Sequence, residues 1–209
     1  MNFVEESAAA YSPLPKKVSL ETYLDMIADG TRRLEYHDGN IVDIKSATDA
    51  HGTICMNISR WLYDCASENG CKIYAGDREV WIPKCRKMYY PDHVIVCGTH
   101  RKKQMSKNVE ATINPSVVIE VLSDSTEKYD LSTKARRFKT IEDLKQIVYV
   151  RQDRPYVFTL TRFENKDLWL EEEYFEEEDT VEINGCTVTI EQIYRGIVFE
   201  NEAENRTDA

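Results

Sequence analysis

Apolar and polar positions along this chain repeat with two periods, and the period switches several times. Leu20, Tyr23, Leu24 and Ile27 stand at i, i+3, i+4 and i+7, which predicts a helix over 19–29 with one buried face. Ser19 is its expected N-cap, and Gly30 its stop. The stretch RRLEYHDGNIVDI reads as a β-hairpin turning at Asp38 and Gly39. Ile54, Ile58, Trp61, Leu62 and Cys65 form the stripe of a second helix over 49–68, which Asn69 and Gly70 end. CKIYA, REVWI and YPDHVIV then read as strands, THRKKQMSKNVEATINP as a basic polar loop, and SVVIEVLS as a buried strand. YDLSTKARRFKTIEDL predicts a third helix, with Leu131, Ala135 and Phe138 inward and Lys134 and Arg137 outward or sideways. After the strand QIVYV comes a meander of PYVFTLTRF, DLWLEEEYF, TVEI and CTVTI, closed by a short helix around EQIYRGI.

This order predicts an α/β fold, a mixed β-sheet flanked by helices with a C-terminal β-meander. A chain of 209 residues with 42% hydrophobic content suits one well-packed domain. That domain is expected over 17–199, after a loosely ordered tail at 1–16 and before a polar tail at 200–209.

One strand is anomalous. VVIEVL is a run of β-branched and aliphatic residues, yet Glu120 sits inside it. An unpaired carboxylate in a dry core costs several kcal/mol. A second acid offers a reason. Asp92 heads an earlier strand, directly after Pro91, which cannot donate to a ladder and therefore suits a strand's first position. If the two strands are neighbours, both carboxylates can face one cleft and hold a hard divalent cation, for which Mg²⁺ is the natural choice and Mn²⁺ a substitute. An interior ion pair of Glu120 with Lys134 or Arg136 is the competing explanation.

These residues carry a resemblance. P-D followed by an acid-bearing strand is the signature of the PD-(D/E)XK nuclease superfamily. The segments R-L-E-Y-H-D-G-N-I-V, Y-Y-P-D, V-V-I-E-V-L-S-D-S-T, Y-D-L-S-T-K and Q-I-V-Y-V, with a helix starting near His51, resemble the Uma2 family of restriction-endonuclease-fold proteins over about 17–199. The resemblance implies a restriction-endonuclease-like fold and a Mg²⁺-dependent endonuclease acting on nucleic acid, DNA first. It implies Asp92 and Glu120 as catalytic metal ligands. The superfamily's lysine, two residues after the acid, is replaced here by Leu122. The Uma2 pattern has its lysine in the next helix, which is Lys134 in this chain. Glu35 is a further catalytic candidate. His51, Asp130 and Gln146 are possible accessory residues; Asp130 reads more simply as a helix N-cap, and Gln146 stands where the family has an acid. Ser123-Asp124-Ser125-Thr126 departs from the family's Ser-Pro-Ser-Thr, and His93 replaces an apolar residue after P-D.

Charge tempers this reading. The formal net charge is −10, so nucleic acid gains no bulk attraction and needs a local basic patch. Arg101, Lys102, Lys103 and Lys107 form the densest one. The acidic runs 171–173 and 176–179 suggest an outer hairpin that would repel DNA. A catalytically weak binding or regulatory module on the same fold is therefore the alternative, and a metal-free acid–base hydrolase a third reading. A homodimer is expected if both strands are cut. Six cysteines without C-x-x-C spacing read as reduced thiols, hence a cytoplasmic protein. The first residues lack a secretory pattern, and no run reaches the ~20 apolar residues of a membrane span.

Overall fold

The computed structural model describes residues 17–44, 47–123, 126–164 and 168–199. Both expected tails, and Asp124 and Ser125, lie outside them. In chain order the elements are α1 (Leu20–Ile27), β1 (Leu34–His37), β2 (Asn40–Asp43), α2 (Asp49–Glu68), β3 (Cys71–Ala75), β4 (Val80–Ile82), β5 (Lys87–Tyr89), β6 (His93–Cys97), β7 (Lys102–Gln104), β8 (Glu110–Thr112) and β9 (Val117–Leu122). Then follow α3 (Glu127–Tyr129), a π-helical stretch (Asp130–Lys134), α4 (Ala135–Phe138), β10 (Gln146–Arg151), β11 (Val157–Arg162), β12 (Trp169–Tyr174), β13 (Thr180–Ile183), β14 (Cys186–Thr189) and α5 (Ile190–Ile193). No described helix is long and apolar enough to cross a membrane.

The strands form two six-stranded sheets, β2-β1-β5-β4-β8-β7 and β12-β11-β10-β9-β6-β3, plus the hairpin β13-β14. One mixed sheet was the expectation. The difference comes from the expected basic loop, which contains β7 and β8, and from the extra strand β5. These short strands pair with β4 and with each other rather than joining the longer sheet. In that longer sheet β9 runs parallel to β10 and antiparallel to β6.

Strand alternation then divides the core. Val117, Ile119 and Val121 face α2, where they pack with Ile54, Ile58 and Leu62. Val118 and Leu122 face the opposite side, with Ala135, Phe138, Tyr89 and Ile82. Glu120, between them in sequence, shares their face and is 6% exposed. β1 alternates in the same way. Leu34 and Tyr36 join the core under α1 with Tyr23 and Leu24, while Glu35 and His37, also buried, turn to the other side.

Two corrections concern side chains. Four of the six cysteines form disulfides, Cys65–Cys186 and Cys71–Cys97. The expectation of six reduced thiols fails because the partners are brought together by folding. Cys71 and Cys97 face each other across β3 and β6, and Cys65 on α2 meets Cys186 on β14. The argument from free thiols to a cytoplasmic location loses its premise. The Cys65–Cys186 link spans a separation of 121 residues. Its reduction should lower stability by about 2–4 kcal/mol. A urea midpoint that does not shift with reductant would show that the bridge does not constrain the unfolded chain.

The second correction is the third helix. Leu131 is 36% exposed and Lys134 only 5%. The π-helical turn, closed by the Ala135 N–H donating to the Asp130 carbonyl, admits one extra residue. That shifts the inward face by one position, so Asp130 and Lys134 point inward with Phe138.

Candidate active site

Five elements converge on one buried cluster. Lys134 Nζ lies 2.8 Å from Glu120 Oε1, 3.1 Å from Glu35 Oε1 and 3.8 Å from Asp130 Oδ1. Glu120 comes from the longer sheet, Glu35 from the shorter one, and the ammonium from the helical segment that covers both. The interior ion pair of Glu120 with Lys134 is therefore real. It is also only part of a larger set, because one cation faces three carboxylates. Asp130 is not an N-cap; it lies inside the helical run and is buried.

Asp92 enters from the end of β6. The last β6–β9 register pair is His93 with Ile119. Beyond it the Val121 N–H has no strand partner on that side, and Asp92 Oδ2 accepts it at 2.7 Å. Asp92 Oδ1 lies 3.1 Å from His51 Nε2 at the start of α2. The Asp92 and His51 side chains keep 22% and 21% of their surface exposed, against 6–9% for Lys134, Glu120, Glu35 and Asp130. Solvent thus reaches the cluster from the Asp92–His51 edge.

The titration behaviour follows from this geometry. Burial and the nearby charges of Asp130, Asp92 and Glu35 outweigh Lys134 and push the Glu120 carboxyl well above its ordinary value. Burial also raises Asp130, against the opposing pull of Lys134. Glu35 moves the other way. Burial would raise it, but Lys134 and its bond to His37 together hold it below the usual range. Asp92 is likewise lowered, with His51 and the Val121 N–H overcoming burial. Burial depresses the Lys134 ammonium, but the three carboxylates prevail and hold it well above the ordinary lysine value. The cost of the cluster's excess negative charge thus falls on Glu120, the carboxyl that holds its proton most strongly. Its Oε1 is fully buried against the Lys134 ammonium, 2.8 Å away. Clustered carboxyl oxygens of this kind suit a divalent cation.

The model for a family described as "Putative restriction endonuclease", Uma2, matches residues 20–191. The chain belongs to the Uma2 family. It is 27% identical over 137 residues to the uncharacterized protein sll1609 of Synechocystis sp. (66% of this chain, 76% of that one). It is 26% identical over 190 residues to the uncharacterized protein slr1290 of the same organism (90% and 96%). A crystal structure described as a putative nuclease belonging to DUF820, from Anabaena variabilis, matches with a TM-score of 0.67 at 13% identity, covering 85% of this chain and 97% of that one. At that identity the likeness concerns the fold, a restriction-endonuclease-like α/β arrangement.

Of the candidate residues, the structure gathers Glu35, Asp92, Glu120, Asp130, Lys134 and His51. Gln146 is elsewhere. It sits opposite Val117 in the β9–β10 register, while Glu120 sits opposite Tyr149. Its amide donates to Thr161 and to the Glu182 carbonyl, tying β10 to the C-terminal hairpin. The basic patch is also largely engaged. Arg101 pairs with Asp143, and Lys102 lies 2.8 Å from Glu110.

Sequence reasoning missed His37 and Tyr129. His37 Nε2 is 3.0 Å from Glu35 Oε2, and its Nδ1 is 3.1 Å from the Tyr129 hydroxyl, which in turn meets Tyr89 at 3.2 Å. The period of two along β1 could have placed His37 beside Glu35. Nothing in the sequence pointed to Tyr129.

Proposed function

We propose that this Uma2 protein is a Mg²⁺-dependent endonuclease that hydrolyses phosphodiester bonds in nucleic acid, DNA being the preferred substrate and Mn²⁺ an effective substitute. The observation that carries the reading is the 2.8 Å approach of Lys134 to Glu120 beside Asp92, which supplies from a neighbouring helix the lysine absent at Leu122. Asp92 and Glu120 would hold the cation. When bound, such a cation activates water and polarises the scissile phosphate. Lys134 stabilises the negative charge that develops on the phosphoryl oxygens. Glu35 and Asp130 grip the ammonium from two sides and so aim it. His51 orients the Asp92 carboxylate, and His37 orients Glu35. Two sites are needed to cut both strands, which favours a homodimer.

The test is direct. Plasmid DNA and a structured RNA are incubated with the protein in millimolar Mg²⁺ or Mn²⁺, with and without chelator. Metal-dependent scission that the chelator abolishes is the expected result. Scission that persists in chelator would favour the metal-free hydrolase. No scission of either polymer would remove the enzyme reading and leave the binding module, which the exposed acidic strand β12 and the net charge of −10 favour.

A further inference from the structure

α2 carries a thiol, Cys55, that the proposed reaction leaves unused. His51 and Cys55 stand four residues apart, one helical turn, so both side chains leave the same face of the helix. That face meets Asp92. His51 Nε2 is 3.1 Å from Asp92 Oδ1, and His51 Nδ1 is 3.7 Å from Cys55 Sγ. One ring nitrogen, the thiol sulfur and one carboxylate oxygen lie within 4.8 Å of one another, all three residues half-buried. Ligands bound at about 2.0–2.3 Å around one tetrahedral ion are roughly 3–4 Å apart, so the His51 ring, which now meets Asp92 and Cys55 through different nitrogens, would turn to present one of them to the ion.

The donor types decide which ion. Mg²⁺ takes oxygens and keeps its waters, and it has little use for a thiolate. Imidazole, thiolate and carboxylate together suit a borderline ion such as Zn²⁺ or Co²⁺, with one position open to water. A simple hydrogen bond from His51 would account for the Asp92 contact. It would not account for a third donor atom, the half-buried thiol one turn along, on the same side of the helix.

We propose that His51, Cys55 and Asp92 form a binding site for a borderline transition-metal ion of the Zn²⁺ class, which competes with the oxygen-liganded cation for Asp92. The site would therefore act as an inhibitory metal switch. Only the competition rests on the nuclease reading; the site itself does not.

Co²⁺ is the probe. It is titrated into the full chain with its disulfides intact, and the sulfur-to-cobalt charge-transfer band is followed in the near ultraviolet. The expected result is a saturable band that Zn²⁺ displaces. Cys55→Ser should abolish it, and His51→Ala should weaken binding at least about tenfold. Cys85→Ser, the other free thiol, should leave it unchanged. Circular dichroism checks that each variant is folded. No thiolate band in the wild type, or a band that survives Cys55→Ser, overturns the site. For the competition, Mn²⁺ binding is measured by calorimetry with and without Zn²⁺. A fall of about tenfold or more in the wild type, absent in Cys55→Ser, is expected. Unchanged Mn²⁺ affinity would overturn the switch. If Mn²⁺ does not bind even without Zn²⁺, the switch falls together with the nuclease reading, and the cobalt band alone decides the site.

Discussion

Replacing Lys134 with methionine is expected to destabilise the protein by about 3–5 kcal/mol near neutral pH, the usual penalty for stripping one partner from a buried charge cluster. Lys134 is 5% exposed, and it is the ammonium that lies within 4 Å of Glu35, Glu120 and Asp130. Methionine keeps the length and most of the volume, so a cavity would not explain the loss. The pH dependence identifies the cause. Lys134 lowers the titration of all three acids. Without it all three folded-state values rise, those of Glu120 and Asp130 further above their unfolded ones. A group raised in this way contributes stability below its unfolded value and loses it as pH climbs through the folded value. The variant should therefore approach the wild type near about pH 4 and fall furthest behind it near about pH 8. Urea midpoints across that range measure this. A deficit independent of pH would mean that Lys134 matters for packing rather than as a countercharge. Hydrolysis by the folded fraction should drop about 10²–10³-fold if the ammonium stabilises transition-state charge.

Glu120→Gln should act in the opposite direction on stability. It should abolish Mn²⁺ binding and reduce hydrolysis at least about 100-fold, beyond what partners outside the ligand shell cost. Stability should stay within about 1 kcal/mol of the wild type or exceed it. Glu120 is raised well above its ordinary value of 4.5, chiefly by burial. Its carboxylate is thus an energetic liability at neutral pH in the metal-free protein, and an amide of the same shape is not. Glu35 and Asp92, both lowered, behave conversely. Their contribution is present above the ordinary carboxylate values and disappears as the solution is acidified. The same reasoning predicts that Mn²⁺ affinity in the wild type strengthens with rising pH, because the ion must displace the Glu120 proton. Calorimetry on both proteins, with circular dichroism as the control for folding, is decisive. Undiminished Mn²⁺ binding by a folded Glu120→Gln protein would place the ion elsewhere. A variant that fails to fold would make Glu120 a structural partner of Lys134.

Much of the local structure was legible because it is set by neighbours in sequence. The stripe on α2, its ending at Asn69 and Gly70, and the hairpin turn at Asp38 and Gly39 follow from periodicity and from backbone freedom. Asp38 and Gly39 both adopt positive φ, as a tight two-residue hairpin turn requires. The anomaly of Glu120 within an apolar strand was visible for the same reason. The P-D and acid-bearing strand pattern also suggested that the strand headed by Asp92 lies beside it, as β6 does, though not the way Asp92 takes the Val121 N–H where the β6 ladder stops.

Other features depended on contacts between distant segments, and here the sequence was silent or misleading. The basic stretch around Lys102 read as a loop because nothing local announces a three-residue strand; β7 exists because β8 pairs with it. The cysteines read as free thiols because their partners lie 26 and 121 residues away. The helical pattern placed Lys134 outward or sideways, although resemblance to the Uma2 family named it as the catalytic lysine. A single π turn brings it inward, where Glu120 and Glu35 from two sheets and Asp130 from the same turn receive the ammonium. By itself the sequence singled out candidate side chains, Glu120 by its place in an apolar strand and Lys134 by resemblance to the Uma2 family. The tertiary structure decided which of them meet. Burying three acids around one lysine is an energetic matter of the whole cluster, settled only when two sheets and a helix close over it.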